Sequence, residues 1–182
     1  CRDYELRKQV FTHAIAIRGV REQYPKIAQY IRGIDAASSE VDARPEVFGQ
    51  AFRFLKNHQT RDEDHNIKRY LFDVDKDHSD RLRPSYANNQ LRITFHAGED
   101  FFDVVDGMRY IDECMKYLGM THGDRFGHAL AIGIDVKNYY TLKENKIMLS
   151  KHTLLDNVAW LLSKVRKFGL THHLNEVYRL EN

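Results

Sequence analysis

Three residues of this 182-residue chain have the types and spacing for chemistry on a water molecule: His96, Glu99 and His128. His96 and Glu99 stand together in RITFHAGEDFFD, residues 92–103, where an alternating apolar run meets Ala97-Gly98 and a helical pattern begins at once. His128 stands at the end of a second expected strand, DRFGHA, residues 124–129. A neutral imidazole at a strand end is a common Zn²⁺ ligand at about 2.0–2.1 Å, and a catalytic zinc takes about three protein ligands plus an open position for water. A carboxyl three residues further on would face substrate rather than metal, where partial burial would keep it able to donate a proton. A second histidine on the neighbouring strand would orient or deprotonate the water. Gly98 and Gly127 allow a tight turn and the close approach of a ligand. The plainer alternative for each histidine is a polar strand end whose hydrogen bonds are simply satisfied.

The elements that must position these groups follow from apolar periodicity. Residues 10–18, VFTHAIAIR, are rich in β-branched and small apolar residues and predict a buried strand closed by Arg18-Gly19. Residues 20–31 predict a short helix with Pro25 in its first turn, and Ile31 to Asp35 a second strand. That strand runs into a polar loop holding Asp35, Ser38, Ser39 and Glu40, of the kind found at the mouth of a sheet. Residues 46–56 predict a helix with Val47, Ala51, Phe54 and Leu55 on one face. A highly charged segment over about 57–91 is long enough to suggest an insertion. Leu91 to Phe95 then predict a third strand ending at His96, and 101–118 a helix capped by Asp100 or Asp103. Asp124 to Ala129 predict a fourth strand, 145–150 a further short one, and Leu154, Val158, Leu161, Leu162 and Val165 a helical stripe after a Thr153 cap. About 140–182 therefore forms a helical extension.

Alternating strands and helices argue for an α/β fold with a parallel sheet and helices outside it. No GxGxxG or GxxxxGKS/T follows the first strand, so a (β/α)8 TIM barrel is preferred to an open doubly wound sheet. Arg18, Asp35, His96 and His128 all fall at the C-terminal ends of expected strands, where such barrels carry their chemistry.

Composition narrows the function classes. The chain is 42% hydrophobic and 30% charged, with no apolar run near the roughly 18–20 residues of a spanning helix, so a membrane partner is not expected and a cytoplasmic setting is the default. Lys and Arg number 28 against 26 Asp and Glu, and a net charge of +2 does not call for a nucleic-acid partner. Cys1 and Cys114 lack zinc-knuckle spacing, and Cys114 is expected in the core.

HAGE after an apolar strand, then RFGHA after a helix, resembles the adenosine and AMP deaminase branch of the metal-dependent amidohydrolases. Upstream, IAIRG resembles that family's strand ending in Arg, and IDAASSE followed by FGQAF resembles its IDLAGDE stretch, so the resemblance spans about residues 10–130 in order. It implies an amidohydrolase-type barrel of which this chain holds about strands three to six, and hydrolytic deamination of adenosine or an adenine nucleotide through a metal-activated water. By position, His96 is then the metal ligand, Glu99 the acid that protonates the purine ring nitrogen, and His128 the base for the water. Asp35, Ser38 and Gly98 fall where the family contacts its substrate, Ser38 replacing a usual glycine. The cofactor implied is one Zn²⁺ whose remaining ligands lie outside this segment. The charged insertion and helical extension resemble the large bacterial deaminases of the RADAR anti-phage type, in which insertions build homo-oligomers; an exposed loop of no special role is the alternative. Lys68, Arg69, Arg81 and Arg83 in the insertion are candidate phosphate contacts.

Departures from the family pattern are equally specific. No HxH occurs, and nothing after residue 129 fits the expected aspartate ligand. Either these residues are the middle of a longer enzyme, or the chain is a catalytically inactive deaminase-like scaffold or assembly subunit. DVDKDHSD, residues 73–80, starts like a calcium loop, but His78 replaces the required glycine and Pro84 the bidentate glutamate. His172-His173 cannot both face one metal from a regular element. The segment is expected to be inactive in isolation: incubated with adenosine and zinc, it should leave the purine absorbance unchanged, and measurable turnover would overturn that expectation.

Overall fold

The computed structural model describes residues 3–28, 30–36, 39–58 and 90–170. Its elements in chain order are α1 (Tyr4–Gln23), α2 (Pro25–Ala28), β1 (Gly33–Ile34), α3 (Gly49–Asn57), β2 (Arg92–Ala97), α4 (Val104–Leu118), β3 (Arg125–His128), α5 (Val136–Leu142) and α6 (Lys151–Lys167). Short 3-10 turns at Pro45–Val47 and Leu130–Gly133 lead into α3 and follow β3.

Burial alternates along β2 as its period of two requires. Ile93, Phe95 and Ala97 are buried, while Arg92, Thr94 and His96 are only half-buried on the other face. Phe95 is the hub of the buried side, with ring centroids 5.5 Å from Phe48, 5.6 Å from Phe52 and 6.4 Å from Tyr110. Leu55 of α3 and Ile111, Cys114 and Leu118 of α4 complete this core. Asp103 caps α4 by accepting the Val105 amide, and Gly119 ends it in the left-handed conformation at φ 68°. Met108 and Met115 of α4 are exposed.

The three described strands form one parallel sheet in the order β1-β2-β3. The expectation of a TIM barrel is overturned. Among the described residues there are three strands, not a run of barrel strands; β1 is two residues long, and β1 and β3 each pair on one side only. The helical share is larger than a barrel reading allows, chiefly because residues 10–18 belong to α1 rather than to a strand. Val10, Ala14, Ile17 and Arg21 recur at four-three-four spacing and face inward, with Ala14 and Arg21 fully buried. Leu, Lys, Arg, Gln and Ala around the β-branched run supply helix propensity that outweighs it. Arg18 consequently ends no strand; it pairs with Glu22 one turn on at 2.9 Å and lies over the Phe54 ring. The helix expected over 20–31 is divided between the end of α1 and the single turn of α2.

Residues 145–150 form no strand; they lead to Ser150, which caps α6 in place of Thr153 by accepting the Thr153 amide at 3.0 Å. Val158 and Val165 of the expected α6 stripe are buried, whereas Leu154 is exposed. Asn157 of α6 accepts from Arg109 of α4 at 2.8 Å, and Asp112 of α4 accepts from Trp160 and Lys164 of α6. Cys114 is a free, buried thiol. Among the described residues no helix is long and apolar enough to cross a membrane. Most of the 57–91 insertion, including Lys68, Arg69, Arg81, Arg83 and the 73–80 stretch, lies outside the described residues, as do His172 and His173.

Asp124 fastens β3 to β2 at the end remote from the histidines. Its side chain is 1% exposed, accepts the Ile93 amide at 2.9 Å and the Thr121 amide at 2.6 Å, and is ion-paired with Lys56 of α3. Burial alone would raise its pKa, but Lys56 and the two amides outweigh burial and hold it below the ordinary carboxylate value. A depressed folded-state pKa contributes stability above the unfolded value, and that stability is lost as pH falls through the folded value. Urea denaturation is therefore expected to show stability declining below about pH 4, with a shallower decline in Asp124→Asn. Asp124→Ala should cost about 3 kcal/mol at neutral pH, because Lys56 and two amides lose their partner.

Candidate active site

The C-terminal ends of the three parallel strands lie side by side and carry the site. Asp35 follows β1, His96 is the fifth residue of β2, and His128 ends β3. The β2–β3 register pairs His96 with Gly127 and Ala97 with His128. A side chain at 127 would collide with His96, since a Cβ built there falls 2.7 Å from its Cδ2. Glycine at that position gives the imidazole its place.

Two histidine–carboxylate pairs result. His96 Nδ1 lies 3.2 Å from Asp35 Oδ1, and His128 Nε2 lies 3.1 Å from Glu99 Oε2. The two imidazole centroids are 5.3 Å apart, tilted by 49°. Asp35 engages the Nδ1 side of His96, an arrangement that fixes the ring and leaves Nε2 as its free nitrogen. The Glu99 side chain is 43% exposed. Four of the expected site residues, Asp35, His96, Glu99 and His128, thus form one contiguous group.

Gly98 makes the turn between His96 and Glu99 at φ 75°, a conformation that disfavours any side chain. A Cβ there would also fall 2.6 Å from Ile111 Cδ1. Its amide is committed to Glu40 at 2.7 Å, and its carbonyl accepts from Ala131 at 2.9 Å. Ser38 lies outside the described residues. After β3 the chain holds two non-glycine residues in the left-handed region, His128 at φ 62° and Ala129 at φ 51°. Such residues cost on the order of 1 kcal/mol each and persist where the surroundings fix them. Here the Ala129 amide bonds to Ala97 at 3.0 Å.

A cavity of about 390 Å³ opens beside His96, lined by Asp35, Ser39, Asp42, Phe48, Phe95 and Tyr110 among others. Its size suits a small ligand. Glu99 and His128 lie beyond His96 and do not line it. No group of three or more His, Cys, Asp or Glu side chains among the described residues is arranged to hold a metal ion. The sequence reading assigns this segment one ligand of that zinc, His96, and places the others outside it.

Sequence reasoning missed Glu40 as a positioning group. It registered only as one polar loop residue, although a glutamate is rarely fully buried unless paired and this one is 4% exposed.

No protein-family model matches the chain, and no curated protein matches it.

Replacing Gly127 by Ala is expected to displace the His96 ring and break its contact with Asp35 while the sheet persists, at a cost of about 1–3 kcal/mol from overpacking. NMR of the histidine ring protons checks this; a His96 resonance unchanged in Gly127→Ala would refute the geometry.

Proposed function

We propose that this chain carries the acid–base groups of a hydrolytic deaminase acting on adenosine or an adenine nucleotide. The observation that supports it is the convergence of Asp35, His96, Glu99 and His128 at three adjoining strand ends, with Glu99 and His128 in contact. The motifs HAGE and RFGHA, which prompted the comparison with purine deaminases, supply three of those four side chains.

In the overall reaction water adds to the amino-bearing carbon of the purine, and ammonia leaves to give the inosine form. Negative charge would build on the ring nitrogen beside that carbon, and a proton from Glu99 neutralises it, lowering the barrier. His128 takes one proton of the attacking water and passes it to the departing amine, and the remaining hydroxyl proton returns to Glu99 as ammonia leaves and the carbonyl forms. His96, held by Asp35, faces the same space. The carboxylates Asp35 and Asp42 and the hydroxyl of Ser39 offer acceptors to sugar hydroxyls or ring amines in the adjoining cavity. The zinc of this reaction would take His96 together with ligands from outside the described residues.

A catalytically inactive, deaminase-like assembly subunit is the second reading, prompted by the absence of an HxH pair from these 182 residues. An HxH upstream and an aspartate ligand downstream in the full gene product distinguish the enzyme from the scaffold.

Adenosine, AMP, ATP and adenine, offered to the intact gene product with and without chelator, should give ammonia from at least one substrate, and chelation should abolish it. Glu99→Gln should lower turnover by at least about 100-fold. Full activity in that variant would remove Glu99 as the acid, and no ammonia from any substrate would sink the enzymatic reading.

A further inference from the structure

Glu40 lies in the loop after β1, yet its carboxylate is spent on the turn after β2, 58 residues away. One oxygen accepts the Gly98 amide at 2.7 Å and the other the Glu99 amide at 2.9 Å, and the residue is buried. Two successive amides converge on one anion because Gly98 is left-handed, the geometry of a backbone anion nest. Charge-assisted hydrogen bonds from both oxygens fix direction as well as distance.

The loop carrying Glu40 is itself anchored. Arg44 lies over the Tyr110 ring and pairs with Asp106 at 3.0 Å and Glu113 at 2.6 Å, and the Tyr110 hydroxyl donates to the Ala43 carbonyl at 2.9 Å. Position is thereby transmitted from α4, through the 40–44 loop, to the backbone nitrogen of Glu99. Mere satisfaction of two turn amides needs no more than a neutral acceptor. A buried bidentate carboxylate does more: it sets the direction in which the Glu99 side chain leaves the turn.

We propose that Glu40 is a positioning residue that holds the Gly98–Glu99 turn and so aims Glu99 at His128. The geometric claim stands on the contacts above, and its catalytic consequence rests on the deaminase reading.

The test uses the intact gene product and NMR of Glu40→Gln, with Glu99→Gln as reference. A glutamine keeps the shape but turns an NH₂ toward one of the two amides. Expected results in Glu40→Gln are an upfield move of the Gly98 or Glu99 amide proton and exchange there faster by on the order of 10-fold. The His128 ring resonance should shift toward its position in Glu99→Gln, a response that loss of general stability does not produce. If the protein deaminates, kcat should fall about 10- to 100-fold with KM changed far less. Unmoved Gly98 and Glu99 amides, an unmoved His128 ring, or wild-type kcat in Glu40→Gln would each overturn the proposal. If the ring and amides respond but the wild type releases no ammonia, Glu40 positions Glu99 and only the deaminase reading fails. Should Glu40→Gln not fold, the wild-type protein decides: scalar coupling across the hydrogen bonds from the Gly98 and Glu99 amides to the Glu40 carboxyl carbon is expected, and its absence overturns the proposal.

Discussion

The burial of one face of β2 is the constraint on which the rest of the arrangement depends. Phe95 is enclosed by Phe48, Phe52 and Tyr110, and burying a side chain of that size contributes about 1.5–3 kcal/mol. A slip of one residue would expose Phe95 and drive His96 into the core, so the register is strongly specified. His96 therefore emerges at the C-terminal end of the strand on the face away from α3 and α4. Pairing with β3 then sets Gly127 against its ring, and the contact with Asp35 fixes the ring itself.

The groups that could react and the groups that hold them occupy different layers. Asp35, Glu99 and His128 are exposed and His96 is half-buried, whereas Glu40 and Asp124 are buried and hydrogen-bonded to backbone amides. Burial of the two carboxylates strengthens those charge-assisted bonds. The outer groups keep access to a small molecule, and their backbone positions are still set from below. Asp124 and Lys56 fasten one end of the β2–β3 pair, and Glu40 fastens the turn at the other.

Elements with a single clear periodicity were legible in the sequence. α4 shows apolar residues at three-and-four spacing after an aspartate cap, β2 shows an alternating apolar run, and β3 is a short stretch ending at a histidine; each lies within a few residues of its expected place. Residues 10–18 were misread because VFTHAIAIR, taken alone, is a β-branched run, and the four-three-four spacing that makes it helical appears only in the longer frame of residues 4–23. That error carried the barrel with it, since a strand there was needed to begin the alternation. The sequence reading placed Asp35, His96 and His128 at strand ends but did not pair His96 with Asp35 or His128 with Glu99. Glu40 was invisible for a different reason: its partners are backbone amides far along the chain, and no residue type marks a backbone donor in a sequence.

The two histidine–carboxylate pairs are not equivalent, and the difference bears on which ring could move a proton. His96 is bound through Nδ1 on a regular strand, between a core that fixes its backbone and a glycine that leaves room for its ring. That is an oriented imidazole with one nitrogen committed. His128 sits where the chain leaves the sheet, in a left-handed backbone shared with Ala129, and meets Glu99 through Nε2 with its side chain 43% exposed. Strained backbone is tolerated where the surroundings enforce it, and here the Ala129 amide is tied back to Ala97 while the Ala131 amide is tied to Gly98. The strain turns the His128 ring across the strand ends toward Glu99 instead of along the path of β3. Of the two rings, His96 is held on a regular strand with its backbone fixed by the core, and His128 meets the Glu99 carboxyl at 3.1 Å where the chain leaves the sheet.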